Sequence, residues 1–348
     1  MTGPPGRLLH TGNVVIDVVL AVPVLPERGS DVLASHSQVS PGGGFNVMAA
    51  AARQGMPVVY AGAHGAGPFG DLARAALARE NVGVALPPRA DADTGLVIAI
   101  IEADGERTFL TSPGAEATLS ARDLAAVRPG PRDVVYVSGY SLAHPASRQA
   151  LARWLPGLGG RQVVVFDPGP LVATLASAPH AREALRAVLT RADWVTCNAR
   201  EAETLTGLAD PIAAARILAG RAADSLVPAG RTGSRGQVLS GSDQAGAPGP
   251  EPGRPGGALV RTGASGCVVC EAGAVPVRVP GFRVKAVDTN GAGDTHTGTF
   301  IAALADGAAL ADAARTANAA AAVSVTRRGP ATAPTTAELA RFLLHAPD

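Results

Sequence analysis

The run VDTNGAGDTHTGTF, residues 287–300, sets Gly291, Ala292 and Gly293 directly before Asp294 at what reads as the start of a helix. Glycine costs backbone entropy there, so the small residues need a purpose. Successive N–H groups at a helix start make an anion site reinforced by the helix dipole, and the lack of bulky side chains lets a phosphate approach the main chain. Asp294 then stands at the edge of that hole, placed to accept a proton from an attacking hydroxyl or to orient it. The plain alternative is a glycine turn capped by an aspartate.

Three further stretches have the same character. In SPGGGFNVMAAAARQG, Gly42 and Gly43 admit a ligand to the main chain, and Asn46 offers both a donor and an acceptor to hydroxyls. In WVTCNAREAETLTG, Asn198 ends a strand and Glu201 starts a helix; a carboxylate there attracts hydrated Mg2+ or simply complements the helix dipole. In VRTGASGCVV, Thr262, Gly263 and Gly266 form a turn between strands, suited to a nucleotide or to an ordinary hairpin.

Other signals carry less. GAGPFG, residues 65–70, fits the spacing of a dinucleotide loop, but no acid ends a strand about 20 residues on and Pro68 interrupts it. Cys267 and Cys270 form a C-x-x-C inside a strand, where that spacing sends them to opposite faces; they read as small buried hydrophobes. His64 and His296 fall near the expected cleft and read as packing or hydrogen-bonding residues. Lys285, the single lysine, is followed by Ala286, which excludes a Gly-Lys-Ser/Thr phosphate loop.

To position these groups, short β-branched runs alternate with Ala/Leu/Arg-rich helical stretches, which predicts an α/β fold with a mostly parallel sheet covered on both faces. Two regions break the rhythm, at about 18–45 and 93–113, and read as strands of a small separate sheet over the site. The second carries Asp104-Gly105, a hairpin signal. In it Val97, Ala99 and Ile101 share one face and Leu96, Ile98 and Ile100 the other, so both faces are apolar. Residues 225–257, dense in Gly, Pro and Ser, cannot bury enough surface to offset their ordering and read as a flexible insertion. The 348 residues are otherwise expected to form one domain, 1–348. A formal net charge of +1 gives no reason to expect nucleic acid or an acidic membrane surface as partner. No apolar run is long enough to span a bilayer and no secretory signal opens the chain, so a cytoplasmic location is expected.

Taken in order, the four stretches resemble the ribokinase-like family of sugar and nucleoside kinases, also called the phosphofructokinase B type. Asp288–Asp294 matches the family's Asp-Thr-x-Gly-Ala-Gly-Asp motif residue for residue, Asn198–Glu201 its Asn-x-x-Glu motif, and Gly42, Gly43 and Asn46 its Gly-Gly…Asn motif. The resemblance runs from Leu9 to about Leu344. It implies a three-layer α/β sandwich with a β-sheet lid, ATP and Mg2+ as cofactors, and a homodimer formed through the lid. It further implies Asp294 as catalytic base and Gly291, Ala292 and Gly293 as anion hole. Asn198 and Glu201 fall at the Mg2+ and phosphates, and Thr262, Gly263, Gly266 and Asn318 at the nucleotide. Asp17, Gly42, Gly43 and Asn46 fall at the acceptor. K+ is expected around Asp288 and Asn290, as in many members. Some positions depart from the pattern: Met48, Thr299, Val15, and VSGYS where ribokinase carries an acidic sugar contact. These weigh against ribose. Gly43 stands where sugar-phosphate kinases often carry lysine, which favours an unphosphorylated sugar. A nucleoside kinase, with Phe45, Phe109 or Tyr140 stacking on a base, is the alternative, and a non-catalytic binding homologue the third reading.

Overall fold

The structure, a computed structural model, describes residues 6–220, 226 and 256–345. The strands are β1 (Leu8–His10), β2 (Val14–Ala21), β3 (His36–Gly43), β4 (Val58–Tyr60), β5 (Gly83–Val84), β6 (Leu96–Ile101), β7 (Arg107–Ser112), β8 (Val134–Ser138), β9 (Val163–Asp167), β10 (Trp194–Asn198), β11 (Gly257–Arg261), β12 (Gly266–Glu271) and β13 (Val277–Pro280). The helices are α1 (Phe45–Arg53), α2 (Pro68–Arg79), α3 (Ala121–Ala126), α4 (Gly139–Ala143), α5 (Pro145–Trp154), α6 (Val172–Ser177), α7 (Pro179–Arg191), α8 (Ala199–Thr206), α9 (Pro211–Gly220), α10 (Ala292–Ala305), α11 (Leu310–Ser324) and α12 (Thr336–His345). Pro68, Pro145 and Pro179 open three of the helices, where a missing N–H costs nothing.

Among the described residues, nine strands form one sheet in the order β13-β12-β11-β10-β9-β8-β1-β4-β5. Pairing is parallel from β11 to β5 and antiparallel at β12 and β13. Both faces of this sheet are buried, and successive residues alternate between two cores. Val135, Val137, Val164, Phe166, Val195 and Cys270 pack with α3 and α5–α9. Val134, Tyr136, Val165, Trp194, Leu259 and Cys267 pack with α1, α2, α10 and α11. Cys267 and Cys270 therefore lie on opposite faces, both buried and free. Trp194 meets Phe300 edge-on at 5.3 Å between centroids, fixing α10 over the sheet. Among the described residues no helix is long and apolar enough to cross a membrane.

The second sheet has four strands in the order β3-β2-β6-β7. β6 and β7 form the expected hairpin, with Gly105 in the left-handed region at φ +90°. The lid begins earlier than 18. The apolar run that reads as one strand from Leu8 to Leu20 divides at Gly12–Asn13: β1 stays in the main sheet and β2 joins the lid, paired with β3 and in parallel with β6. Apolar content is similar on both sides of the break, so periodicity gives no sign of the change of sheet. The insertion 225–257 lies almost entirely outside the described residues.

Candidate active site

Three neighbouring parallel strands, β9, β10 and β11, end on Asp167, Asn198 and Arg261. The carboxyl ends of strands are where open α/β sheets bind ligands. Facing them is the start of α10. Gly291 takes the left-handed conformation, φ +71°, immediately before the helix, which is why a glycine stands there. The N–H groups of the first turn have no carbonyl behind them within the helix; that of Ala292 makes one long bond, at 3.4 Å, to the Thr289 carbonyl just before it.

Asp294 sits in that turn. Burial pushes its carboxyl up to about 7; Asp167 and Asp17 add to the rise, while a hydrogen bond from Asn46 and the charge of Arg261 oppose it. Asn46 Nδ2 donates to Asp294 Oδ2 at 3.1 Å, and Asn46 Oδ1 accepts from Ala331 N at 2.9 Å. Asn46 thus ties α1 to the first turn of α10 and to the segment after α11, and fixes the direction of the Asp294 carboxylate.

A buried ionic cluster lies under this turn. Arg261 Nη1 donates to Asp167 Oδ2 at 3.1 Å and to Thr297 Oγ1, one turn beyond Asp294, at 2.8 Å. Thr196 Oγ1 donates to the same Asp167 oxygen at 3.2 Å, and Arg261 Nη2 stands 3.7 Å from Glu201 Oε2. Burial works against the charge on Arg261, but Asp167 and Glu201 outweigh it and leave the guanidinium firmly protonated. Asn198 and Glu201 cap α8 reciprocally: Asn198 Oδ1 accepts from Glu201 N at 2.9 Å and Glu201 Oε2 from Asn198 N at 2.8 Å. Burial and the charge of Asp167 raise the proton affinity of Glu201.

Of the residues expected at the acceptor, Asp17, Gly42 and Gly43 lie on the lid. Asp17 in β2 has its carboxyl raised to about 6 by burial. A Cβ on Gly42 would stand 2.0 Å from Asp17 Oδ2, so the glycine is what leaves room for that carboxylate. Strand register puts Asp17, Gln38, Ser40, Val97, Ala99, Arg107 and Phe109 on one face of the lid. This face looks at the core: Arg107 Nη2 lies 3.4 Å from Asp288 Oδ1, and Gln38 lies beside Gly329.

Other expected residues have local work. Thr262 Oγ1 donates to the Gly266 carbonyl at 3.0 Å, and Gly263 and Gly266 hold φ of +65° and +96°, so these three close the β11–β12 turn. Asn318 is buried in α11; its Oδ1 lies 2.9 Å from His296 Nε2 and its Nδ2 donates to the carbonyls of Val279 and Pro280, both at 3.0 Å. His296 is thus a hydrogen-bonding residue, and burial pushes its imidazole down to about 3. Phe45 is buried in the core and unable to stack on a ligand, whereas Phe109 and Tyr140 are exposed. At GAGPFG the N–H groups of Phe69 and Gly70 donate to Asp93 at 3.0 and 2.8 Å, so an internal carboxylate already occupies the start of α2. Arg261, Asp167, Thr196 and Thr297 carry no local sequence signal: the first two end strands, Thr196 lies inside β10 and Thr297 in α10, and their pairing spans up to 130 positions.

The pfkB family of carbohydrate kinases matches residues 7–337. The chain is 32% identical over 334 residues, 95% of its own length and 92% of the relative's, to the uncharacterized sugar kinase YegV of Escherichia coli K12. Its fold superposes on aminoimidazole riboside kinase from Salmonella enterica, solved with aminoimidazole riboside and an ATP analogue, with a TM-score of 0.72 at 23% identity over 97% of this chain and all of that one. It also superposes on a protein assigned as ribokinase II from Escherichia coli, solved with ATP and Mg2+, with a TM-score of 0.73 at 21% identity over 97% and 99% of the two chains. The chain belongs to the pfkB family. It is an ATP-dependent carbohydrate kinase with the ribokinase-like α/β fold.

Proposed function

We propose that the protein transfers the γ-phosphoryl group of ATP to a hydroxyl of a small unphosphorylated sugar, with Asp294 as proton acceptor and the Gly291–Gly293 turn as anion hole. The observation that carries the reading is the placement of a half-buried carboxylate, raised to about 7, in the first turn of α10 beside that glycine turn. An ordinary aspartate near 4 is a poor match for an alcohol. Burial narrows the gap, so Asp294 accepts the proton as the new bond forms and holds the hydroxyl in line until then. Phosphoryl transfer has a loose transition state, in which positioning and charge neutralisation outweigh covalent help. The lid excludes water, the competing acceptor.

Mg2+ fits the donor present: Glu201 is a buried carboxylate in the first turn of α8, a hard oxygen group suited to a hydrated divalent ion held through water. When bound it neutralises phosphate charge. The groups expected to hold K+ are already engaged. Asp288 Oδ1 accepts from Asn290 N at 2.9 Å and faces Arg107, and Asp288 Oδ2 accepts from Gly329 N at 3.1 Å. No step is assigned to K+.

Acceptor choice rests with Asp17, Gly42 and Gly43. Gly43 brings no cation to a substrate phosphate, which supports a neutral sugar. A nucleoside acceptor is the second reading, favoured by Phe109 on the cleft face of the lid and by Tyr140, both exposed. The other lid face carries Val18, Val39, Ile98, Ile100 and Leu110, with Val39 and Leu110 more than half exposed, at 55% and 52%. That much apolar surface supports pairing of two copies through their lids. An ATP-consumption screen of unphosphorylated sugars, sugar phosphates and nucleosides tests the acceptor. Turnover with a sugar is expected; a preference for a sugar phosphate would overturn the reading.

A further inference from the structure

The guanidinium of Arg261 is anchored along one edge. Nη1 is spent on Asp167 and Thr297, at 3.1 and 2.8 Å, and Nη2 is oriented by Glu201 at 3.7 Å. The remaining edge lies against the anion-hole turn. A Cβ built on Gly293 would stand 3.5 Å from Nε, 3.7 Å from Cζ and 3.8 Å from Nη2. Any side chain at Gly293 would cover this edge; glycine leaves it open.

Burying an arginine is costly, and a well-packed apolar residue at the end of β11 would serve folding as well or better. Its surroundings are rich in acid: Asp17, Asp167, Glu201 and Asp294 all stand round the cleft. A site that must receive a polyphosphate among these carboxylates needs a fixed cation where charge accumulates. The position also fits, since Arg261 immediately precedes Thr262, in the turn expected to hold the nucleotide.

We propose that Arg261 is a catalytic residue that contacts the transferred phosphoryl group through Nε and Nη2 and completes the anion hole from below. The acceptor oxygen bonds to the γ-phosphorus as the bond from that phosphorus to the β–γ bridging oxygen breaks, its electron pair leaving with ADP. The hydroxyl proton passes to Asp294, and Arg261 stays protonated throughout. Asp167 and Thr297 keep the guanidinium from swinging away, so its charge is in place before the reaction begins. This rests on the kinase reading and adds a residue to it.

Titration calorimetry with Mg2+ and ADP, with and without aluminium fluoride as a mimic of the transferring phosphoryl group, tests it. The proteins compared are the unmodified chain, Arg261→Lys, and the double variant Arg261→Met with Asp167→Asn, which removes the acid that would be left unpaired. The unmodified protein is expected to bind ADP more tightly with fluoride. In the double variant ADP alone is expected to bind within a few-fold of normal, with the fluoride enhancement lost and kcat down about 10²–10³-fold, the usual cost of removing a fixed donor from such a hole. Arg261→Lys, whose ammonium cannot present two donors in a plane, is expected to lose at least about tenfold in kcat with ADP affinity kept. Full enhancement in the double variant, full turnover in Arg261→Lys, or no enhancement in the unmodified protein would overturn the assignment. Failure of the unmodified protein to bind ADP at all would sink the kinase reading instead.

Discussion

At the proposed phosphoryl end of the cleft, the candidate groups stand at the edge of the main core. Asp167, Asn198 and Arg261 finish three adjacent strands whose preceding residues are buried on both faces, and Asp294 rises from a helix held by Trp194 and Phe300. At the proposed acceptor end, Asp17 stands on a four-stranded sheet that touches the core through contacts such as Arg107–Asp288 and exposes apolar side chains behind it. The first end is over-determined by packing, whereas the second is a thin layer with few partners. In the proposed mechanism the chemistry falls to the more heavily packed part, and the choice of acceptor to the thinner one. Changes to the floor should fall on kcat, and changes to the lid on KM.

The sharpest way to break this contrast is at Asp294. Asp294→Asn keeps the size of the side chain and its contact with Asn46, so ATP should still bind, while turnover falls about 10²–10⁴-fold, the usual loss for a positioned base. Steady-state kinetics beside nucleotide titration separate the two effects. On the lid, Asp17→Asn should lower kcat/KM about 10–100-fold, as expected for one lost hydrogen bond to a charged group, and most of that should appear in KM. An equal fall in kcat would erase the division between the two ends. The smallest expected effect on turnover comes from the back of the lid. Register places Ile98 on the outer face, between Val18 and Leu110, and Ala99 on the cleft face. Ile98→Glu should shift the protein from dimer to monomer in sedimentation at micromolar concentration, with turnover changed less than tenfold. An unmodified protein that sediments as a monomer would contradict lid pairing.

The same contrast explains what could be read from the chain. The glycine turn before Asp294 was legible because its chemistry is local: backbone N–H groups, small residues and an acid within four positions. The Asp104-Gly105 hairpin and the opposed faces of Cys267 and Cys270 were legible for the same reason, since turn residues and the two-residue period of a strand act over short range. The cluster beneath the turn was not, because Arg261 finds Asp167 across 94 positions and Thr297 across 36, and only the order of strands in the sheet brings them together. The two-sided hydrogen bonding of Asn46 suits a ligand hydroxyl, yet both sides are engaged within the protein, by Asp294 and Ala331. The division of β1 from β2 falls at the polar His10-Thr11-Gly12-Asn13, but with apolar residues on both sides the local pattern does not say that the chain changes sheet.

The central claim is that a carboxylate made basic by burial takes the proton. Its most direct test is the pH dependence of phosphoryl transfer to the best acceptor found in the screen. Asp294 must be ionised to act, and its carboxyl is raised to about 7, so kcat/KM should rise with pH below that value and level off above it. Asn46→Ala, which removes the hydrogen bond favouring the ionised form, should move this limb to higher pH. A profile flat from pH 5 to 8 in the unmodified protein would contradict the account.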